Sequence, residues 1–306
     1  MKWITGHMKP SVAIVGATGF IGTEVTSRFL NESVYVYLCS QNGGKIQDIR
    51  IDSVDITCNQ SLIDWLSDKN IDTLIYLSSI IPKSFFNTDL SIFDKNIKMH
   101  KSILDAWTKN KFHLIYASTS SVYSRITPIP WSEMTVVMPE NYYSISKYVG
   151  EMLFYKEYQN NQLPLTILRL NAPYGIENRI KTVINIFIER SLNDEDLVLY
   201  GNGYREQDFI YVKDVAQAFW QAYTQQKSGI YNIASGKTIT MNELAHLIIE
   251  LTQSKSKITY SGKEDPQEGK KVSIDVSKSR NELNFSTKYS MRDGLVDCIQ
   301  EYKNVH

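Results

Sequence analysis

The sequence predicts an α/β fold, a doubly wound parallel sheet with a smaller, less regular α+β lobe in its C-terminal part. Three observations carry this. Short runs rich in Val, Ile, Leu and Tyr recur through the first half, apolar on both faces, as strands covered by helices on both sides are. Helix-like stretches separate them, which is how right-handed crossovers between parallel strands are written in sequence. The first run also opens onto a helix through a turn with glycines three residues apart, in "SVAIVGATGFIGTEV" (11–25).

In chain order the strands fall at 12–15, 34–38, 73–77, 113–117 and 166–170. Helices fall between them at 21–30, 61–68, 91–109 and 143–159. Pro164 stands just before the fifth strand, where a helix must already have ended. After about residue 171 the rhythm changes. Helices at 181–190, 214–223 and 241–252 then mix with short strands at 197–200, 209–212 and 230–233. Lys- and Ser-rich turns around 254–257 and 262–271 separate these pieces.

With 306 residues, 42% of them hydrophobic, the chain has ample material for a large core. Lys+Arg and Asp+Glu both total 33, so there is no basic field for nucleic acid, and an anionic ligand must be met by local groups. Cys39, Cys58 and Cys298 are scattered without metal-ligand spacing, which points to a reduced intracellular compartment. No apolar run approaches the ~20 residues of a membrane span. The opening "MKWITGHMKP" lacks the apolar core of a signal peptide, and residues 1–9 are set aside from the fold reading. The expectation is a cytoplasmic protein with neither nucleic-acid nor membrane partner. His100 and His113 have no partners at metal-ligand spacing; both read as structural, and no metal is expected.

Gly16, Gly19 and Gly22 stand where a strand turns into a helix. The turn needs unusual dihedrals, close approach to a pyrophosphate excludes a Cβ, and the last glycine brings helix and strand together. The helix N-terminus supplies free N–H groups for the phosphates. Dinucleotide-binding versions that take NAD end the second strand in a carboxylate, which holds the ribose 2′-hydroxyl. Here "VYVYLCSQNGGK" offers Ser40 or a neighbour, and no carboxylate to repel a 2′-phosphate. Ser40, Gln41, Asn42 and Lys45 are donors within reach of that position. NADP(H) is therefore favoured over NAD(H), although no arginine stands in the usual place.

In "NYYSISKYVGE", Tyr143 and Lys147 are four apart at the start of a helix and share a face. A nearby ammonium favours phenolate, which is how a tyrosine becomes an acid–base group near neutral pH. Upstream, "LIYASTSSVYS" ends the fourth apolar run in hydroxyls, at the edge of a parallel sheet where ligands bind.

Together these stretches resemble the extended short-chain dehydrogenase/reductases, the NAD-dependent epimerase/dehydratase family, which acts mostly on nucleotide sugars. "GATGFIG" is similar to that family's glycine signature and Tyr143-Ser-Ile-Ser-Lys147 to its Tyr/Lys motif. "VDI" at 54–56, "DTLIYLSS", "FDKNIKMH" and "GNGYREQDFIYVKDVAQAF" (201–219) resemble its later segments, so the likeness covers nearly the whole chain.

The resemblance implies a Rossmann domain over 10–171 with a returning segment at about 205–227, and a substrate-binding lobe over about 172–204 and 228–306. It implies that Gly16, Thr18, Gly19, Phe20, Ile21 and Gly22 hold the cofactor, with Ser40, Gln41, Asp55 and Ile56 at its adenosine end. Leu77, Ser78, Ser79, Asn96, Tyr143, Lys147 and Pro173 complete that set. Tyr143 would exchange a proton with the sugar oxygen while a hydride moves between the carbon and the nicotinamide, and Lys147 would hold the ribose and lower the tyrosine pKa. Counting back four from Tyr123 makes Thr119 the hydroxyl on the reacting oxygen. Ser118, Thr119, Ser120, Tyr143, Asn171 and Arg205 are the implied substrate contacts, with Ser118 and Ser120 open to a structural reading. A homodimer built through helices 91–109 and 143–159 is also implied.

Departures narrow the function. The family's 4,6-dehydratases carry Asp-Glu after the strand-end threonine, where this chain has Ser120 and Ser121. In "LRLNAPYG", Ala172 takes the usual asparagine position and Asn171 comes one residue early. Gln207 stands where an arginine is common, and Arg205, two residues earlier, reads equally as a diphosphate ligand or a solvated loop residue. The expectation is a reductase of the C4 ketone of a nucleotide-linked 4-keto-6-deoxy sugar, using NADPH, in deoxysugar synthesis for a surface polysaccharide. The alternatives are a 4-epimerase with tightly held NAD and a non-catalytic NAD(P)-binding regulator.

Overall fold

The structure, a computed structural model, describes residues 9–82, 89–123, 127–176, 181–265, 269 and 271–305. The first half runs β1 (Ser11–Val15), α1 (Phe20–Leu30), β2 (Tyr35–Ser40), β3 (Gly44–Ile46), β4 (Ile49–Ser53), α2 (Asn59–Leu66) and β5 (Thr73–Tyr76). Next come α3 (Leu90–Asn110), β6 (His113–Thr119), α4 (Tyr142–Asn161) and β7 (Leu165–Leu170). The remainder holds β8 (Pro173–Tyr174), α5 (Val183–Leu192), β9 (Leu197–Leu199), β10 (Glu206–Asp208), β11 (Ile210–Tyr211) and α6 (Val212–Gln225). It closes with β12 (Gly229–Ile233), β13 (Thr238–Thr240), α7 (Met241–Thr252), β14 (Ile258–Tyr260), α8 (Ser277–Leu283) and α9 (Met291–Val305).

Eight strands form one sheet in the order β12-β7-β6-β5-β1-β2-β4-β3. β1 pairs in parallel with both β2 and β5, β5 with β6 and β2 with β4. Alternate strand residues explain why both faces are apolar. Ala13, Val15, Leu74, Tyr76, Leu114, Tyr116, Leu165 and Ile167 join a core with α2, α3 and α4. Their neighbours Val12, Ile14, Ile75 and Ile115 are buried as well. Elsewhere in the same unit, Phe29 of α1 meets Trp220 and Tyr223 of α6 edge-on. The predicted α/β, doubly wound sheet is what the chain forms.

Contacts divide the chain into two compact units, Met1–Val122 with Pro139–Arg169 and Ala216–Ile230, and Tyr123–Met138 with Leu170–Val215 and Tyr231–His306. Two longer segments fall on the other side of this division from where the sequence reading put them. The segment at 205–215 belongs to the second unit, because β10 pairs with β13 and β11 with β8. So does 123–138, held there by Trp131, whose N–H donates to the Ser273 carbonyl at 2.9 Å, and by the Asp275 N–H donating to the Trp131 carbonyl at 2.9 Å.

His100 and His113 both lie in the first unit's interior. His100 Nδ1 meets the Tyr76 hydroxyl at 2.9 Å and Nε2 the Ser146 carbonyl oxygen at 3.1 Å. Burial pushes its pKa down to about 3, so it is a neutral hydrogen-bonding member of an aromatic cluster with Tyr76, Tyr116 and Phe154. His113 Nε2 meets Thr166 Oγ1 at 2.8 Å. Among the described residues no helix is long and apolar enough to cross a membrane.

Candidate active site

Strand order reverses at β1, which has β2 on one side and β5 on the other. In such sheets this is the place where a crevice opens outside the strand ends. Gly16 leaves β1 with φ 98°, in the region that favours glycine, and its N–H and that of Ala17 donate to the Cys39 carbonyl at 2.9 and 3.1 Å. A Cβ on Gly16 would lie 2.8 Å from the Ser78 backbone nitrogen. One on Gly22 would lie 2.0 Å from the Gly16 carbonyl oxygen. Thr18, Phe20 and Ile21 surround this turn half-buried, and Gly19 begins α1 without a side-chain cap. A cradle emptied of side chains at a helix N-terminus fits a dinucleotide pyrophosphate.

At the end of β2 the strand runs on to include Ser40, which the sequence had placed just beyond it. The Ser40 hydroxyl donates back to the Gly43 carbonyl at 3.3 Å, within its own turn. Gln41 hydrogen-bonds the carboxyl of Asp55, which also accepts from the Thr57 N–H at 2.9 Å and hydroxyl at 2.7 Å. These bonds hold the Asp55 pKa below the usual carboxylate range. Ile56 is buried beside it. The antiparallel β3–β4 hairpin, which the sequence reading did not foresee, sets exposed Lys45 opposite Arg50.

At the end of β5, the Leu77 and Ser78 N–H groups donate to the Val15 carbonyl at 2.9 and 3.2 Å. Asn96, expected at the cofactor, is buried and works as a clamp. Its Oδ1 accepts from the Ile80 N–H at 2.9 Å, while Nδ2 donates to the Ile80 carbonyl at 3.1 Å and to Ser146 Oγ at 3.0 Å. Ser79 Oγ lies 3.5 Å from the same Oδ1. The strap after β5 is thereby tied to the first turns of α4.

A reciprocal Asn141–Ser144 capping box starts α4, which makes Tyr143 its second residue. From there three side chains on one helix face meet three successive residues of β6. The Tyr143 hydroxyl hydrogen-bonds the Thr119 side chain. Lys147 Nζ donates to the Ala117 carbonyl at 2.8 Å. Ser118 Oγ donates to Glu151 Oε1 at 2.5 Å. Thr119 Oγ1 also accepts from the Ser121 N–H at 3.1 Å, and Ser120 is buried at the start of the turn that follows.

The electrostatics depart from expectation. Tyr143 is not pulled down: burial pushes it up to about 12, with the Thr119 hydrogen bond acting the other way. Burial lowers Lys147 to about 7, opposed by the charge of Glu151. The Lys147 ammonium donates to the Ala117 carbonyl, and the causes acting on Tyr143 are burial and the Thr119 hydrogen bond.

The Lys147 pKa drops from an ordinary 10.5 to about 7, so between those values the unfolded chain holds the extra proton and the native protein gains stability as pH rises. Lys147→Met removes the buried charge. Its expected result is a protein more stable by about 1–4 kcal/mol at pH 6, with the advantage shrinking towards pH 10, read by denaturant unfolding at both pH values.

Ser118, expected at the substrate, faces Glu151 instead. In the second unit, Asn171 is also committed inside the protein, with Nδ2 donating to the Asp208 carbonyl at 2.7 Å and its N–H to the Ile233 carbonyl at 2.9 Å. Arg205 pairs with Asp265 at 3.2 Å. Pro173 is half-buried in β8, in register with Ile210. A cleft of about 400 Å³ in that unit, lined by Tyr174, Tyr211, Ser235, Glu243 and Ser290 among others, contains none of the predicted site residues. Sequence reasoning missed Glu151 and Arg169 as a buried pair. The signal was present, since Glu151 continues the spacing of Tyr143 and Lys147, and a charge inside an apolar strand requires a partner.

Residues 12–234 match the NAD-dependent epimerase/dehydratase family. The chain belongs to this family. It is an enzyme of the extended short-chain dehydrogenase/reductase type, as the resemblance implied. The chain is 28% identical to a UDP-N-acetyl-alpha-D-glucosaminuronate decarboxylase of Bacillus cytotoxicus, over 97% of this chain and 99% of that one. It is 25% identical to a putative UDP-glucose 4-epimerase of Methanocaldococcus jannaschii, over 96% and 98%. The crystal structure of UDP-N-acetylglucosamine 4-epimerase from Bacillus cereus is 26% identical, covers 97% of this chain and 98% of its own, and superposes with a TM-score of 0.85.

Proposed function

We propose that the protein carries out oxidation and reduction at C4 of a nucleotide-linked sugar, with 4-epimerisation as its net reaction. The observation that carries this is the hydrogen bond between half-buried Tyr143 and Thr119 at the end of β6, with Lys147 one helical turn on. The glycine turn, Gln41, Asp55 and Ile56, the strap at Leu77–Ser79, and Lys147 would hold the cofactor. When bound, a nicotinamide dinucleotide supplies the hydride acceptor and, oxidised, a positive charge that favours phenolate. Tyr143 takes the proton from the sugar O4 as the ketone forms and returns it when the alcohol is restored. Thr119, whose hydroxyl hydrogen-bonds Tyr143, would turn its single proton to that oxygen as the ketone forms. Ser120 and Ser121 have no carboxyl group, so these two positions cannot supply the acid and base for water elimination at C5 and C6.

Whole-length likeness to 4-epimerases favours epimerisation over the reductase expected from the sequence. The second reading, an NADPH-dependent 4-keto reductase, is favoured by the end of β2, which has no carboxylate and has Lys45 and Arg50 nearby on the hairpin. A homodimer would use α3 and α4, where Met152 and Tyr155 are exposed.

Cofactor released by denaturing the purified protein separates the two readings. The expected result is retained NAD(H), with UDP-hexoses interconverted at C4 and no net change in absorbance at about 340 nm. An empty site with NADPH bound tightly and consumed by a nucleotide 4-keto sugar would replace epimerisation with reduction. Binding of neither cofactor would overturn both.

A further inference from the structure

The row Tyr143, Lys147, Glu151 does not end at the lysine. Glu151 is 2% exposed and engages both strands beneath it. It accepts from Ser118 of β6, and Arg169 of β7 donates to it from Nε at 3.0 Å and from Nη2 at 2.6 Å. Lys147 and Glu151 thus anchor on the adjacent residues Ala117 and Ser118, directly before Thr119. A carboxylate that only balanced Arg169 would not need to reach β6 at the residue next to the candidate active-site hydroxyl.

We propose that Glu151 is a positioning residue for the Tyr143–Thr119–Lys147 site: it sets the end of β6 through Ser118 and sets its charge one helical turn beyond Lys147, on the same face of α4. The groups facing this row are Arg169 from β7, Tyr116 and Ser118 from β6, and His100 from α3, with Tyr143 and Lys147 from α4 itself. His100 is neutral, held there by burial and by the Lys147 charge. The Tyr116 ring lies 5.0 Å from Lys147 Nζ, and burial keeps its phenol protonated. The proposal rests on the reading of Lys147 as part of the active site, yet its test needs no substrate.

The test is titration of the full-length protein labelled with 13C at lysine Cε, followed by NMR, with the Lys147 signal assigned by its loss in Lys147→Met. In Glu151→Gln, which keeps the shape of the side chain and removes its charge, the Lys147 midpoint is expected to fall by about one pH unit or more. Glu151→Asp keeps the charge but draws it back from Ser118, and is expected to shift the midpoint in the same direction by less. It carries the test if Glu151→Gln does not fold. An unchanged midpoint in whichever variant folds would overturn the proposal and leave Glu151 as the structural partner of Arg169. Loss of turnover in Tyr143→Phe bears on the catalytic reading alone, so the two can fail separately.

Discussion

Tyr143→Phe is expected to lower turnover by about 10³-fold or more, while dinucleotide affinity stays within a factor of two or three of the parent. The magnitude follows from the role, since a positioned acid–base group contributes about 10²–10⁴-fold. No other described hydroxyl has the same position. Thr119 is already engaged with the Ser121 N–H, and Tyr142 is exposed at the first residue of α4. The fold should tolerate the change. The ring keeps its half-buried place, and the loss is one hydrogen bond to Thr119, worth about 1 kcal/mol. Steady-state rates with a UDP-hexose, the substrate class of the proposed reaction, beside a fluorescence titration of the dinucleotide, check both halves. A variant that turned over at the parent rate would remove Tyr143 from the mechanism.

Gly22→Ala should be the most damaging of the simple substitutions in the cofactor cradle. On helix propensity alone it would help, since alanine in a helix is favoured over glycine by about 1 kcal/mol. The geometry reverses the sign. The new methyl would lie 2.0 Å from the Gly16 carbonyl oxygen and 3.0 Å from the Ala17 backbone, and neither is a flexible side-chain end. α1 must move off the turn, which also disturbs the amides facing the phosphates. The expected cost is about 3 kcal/mol or more, seen as a Tm lower by about 5–10 °C together with loss of dinucleotide binding. An alanine variant of parental stability and affinity would mean that the close approach of α1 to the Gly16 turn is not required.

Much of this was legible because it is local. The runs at β1, β5, β6 and β7 are apolar on both faces, and only strands buried on both sides read that way. Gly16, Gly19 and Gly22 sit at a strand-to-helix turn, and Tyr143 and Lys147 are placed on one face by helical spacing alone. The β3–β4 hairpin was not legible, because "GGKIQDIRIDS" lacks a continuous apolar run and its strands are short and mostly exposed. Nor were α8 and α9, whose "SKSRNEL" and "MRDGLVDCIQEYKNV" are too polar to stand out from turns.

By itself the sequence determined the sheet and the glycine turn from strand to helix, and it set Tyr143 and Lys147 on one helix face, since each depends on spacing along a single element or its end; Thr119 came from the family resemblance. Tertiary structure alone decided their protonation and their partners. Ser118 turns to Glu151, Asn96 to the strap after β5 and Asn171 to the Asp208 loop, each a hydrogen bond between residues distant in sequence. Tyr143 rises and Lys147 falls because both are removed from water. The free energy of a buried charge depends on everything packed around it, and no spacing rule along the chain encodes that surrounding.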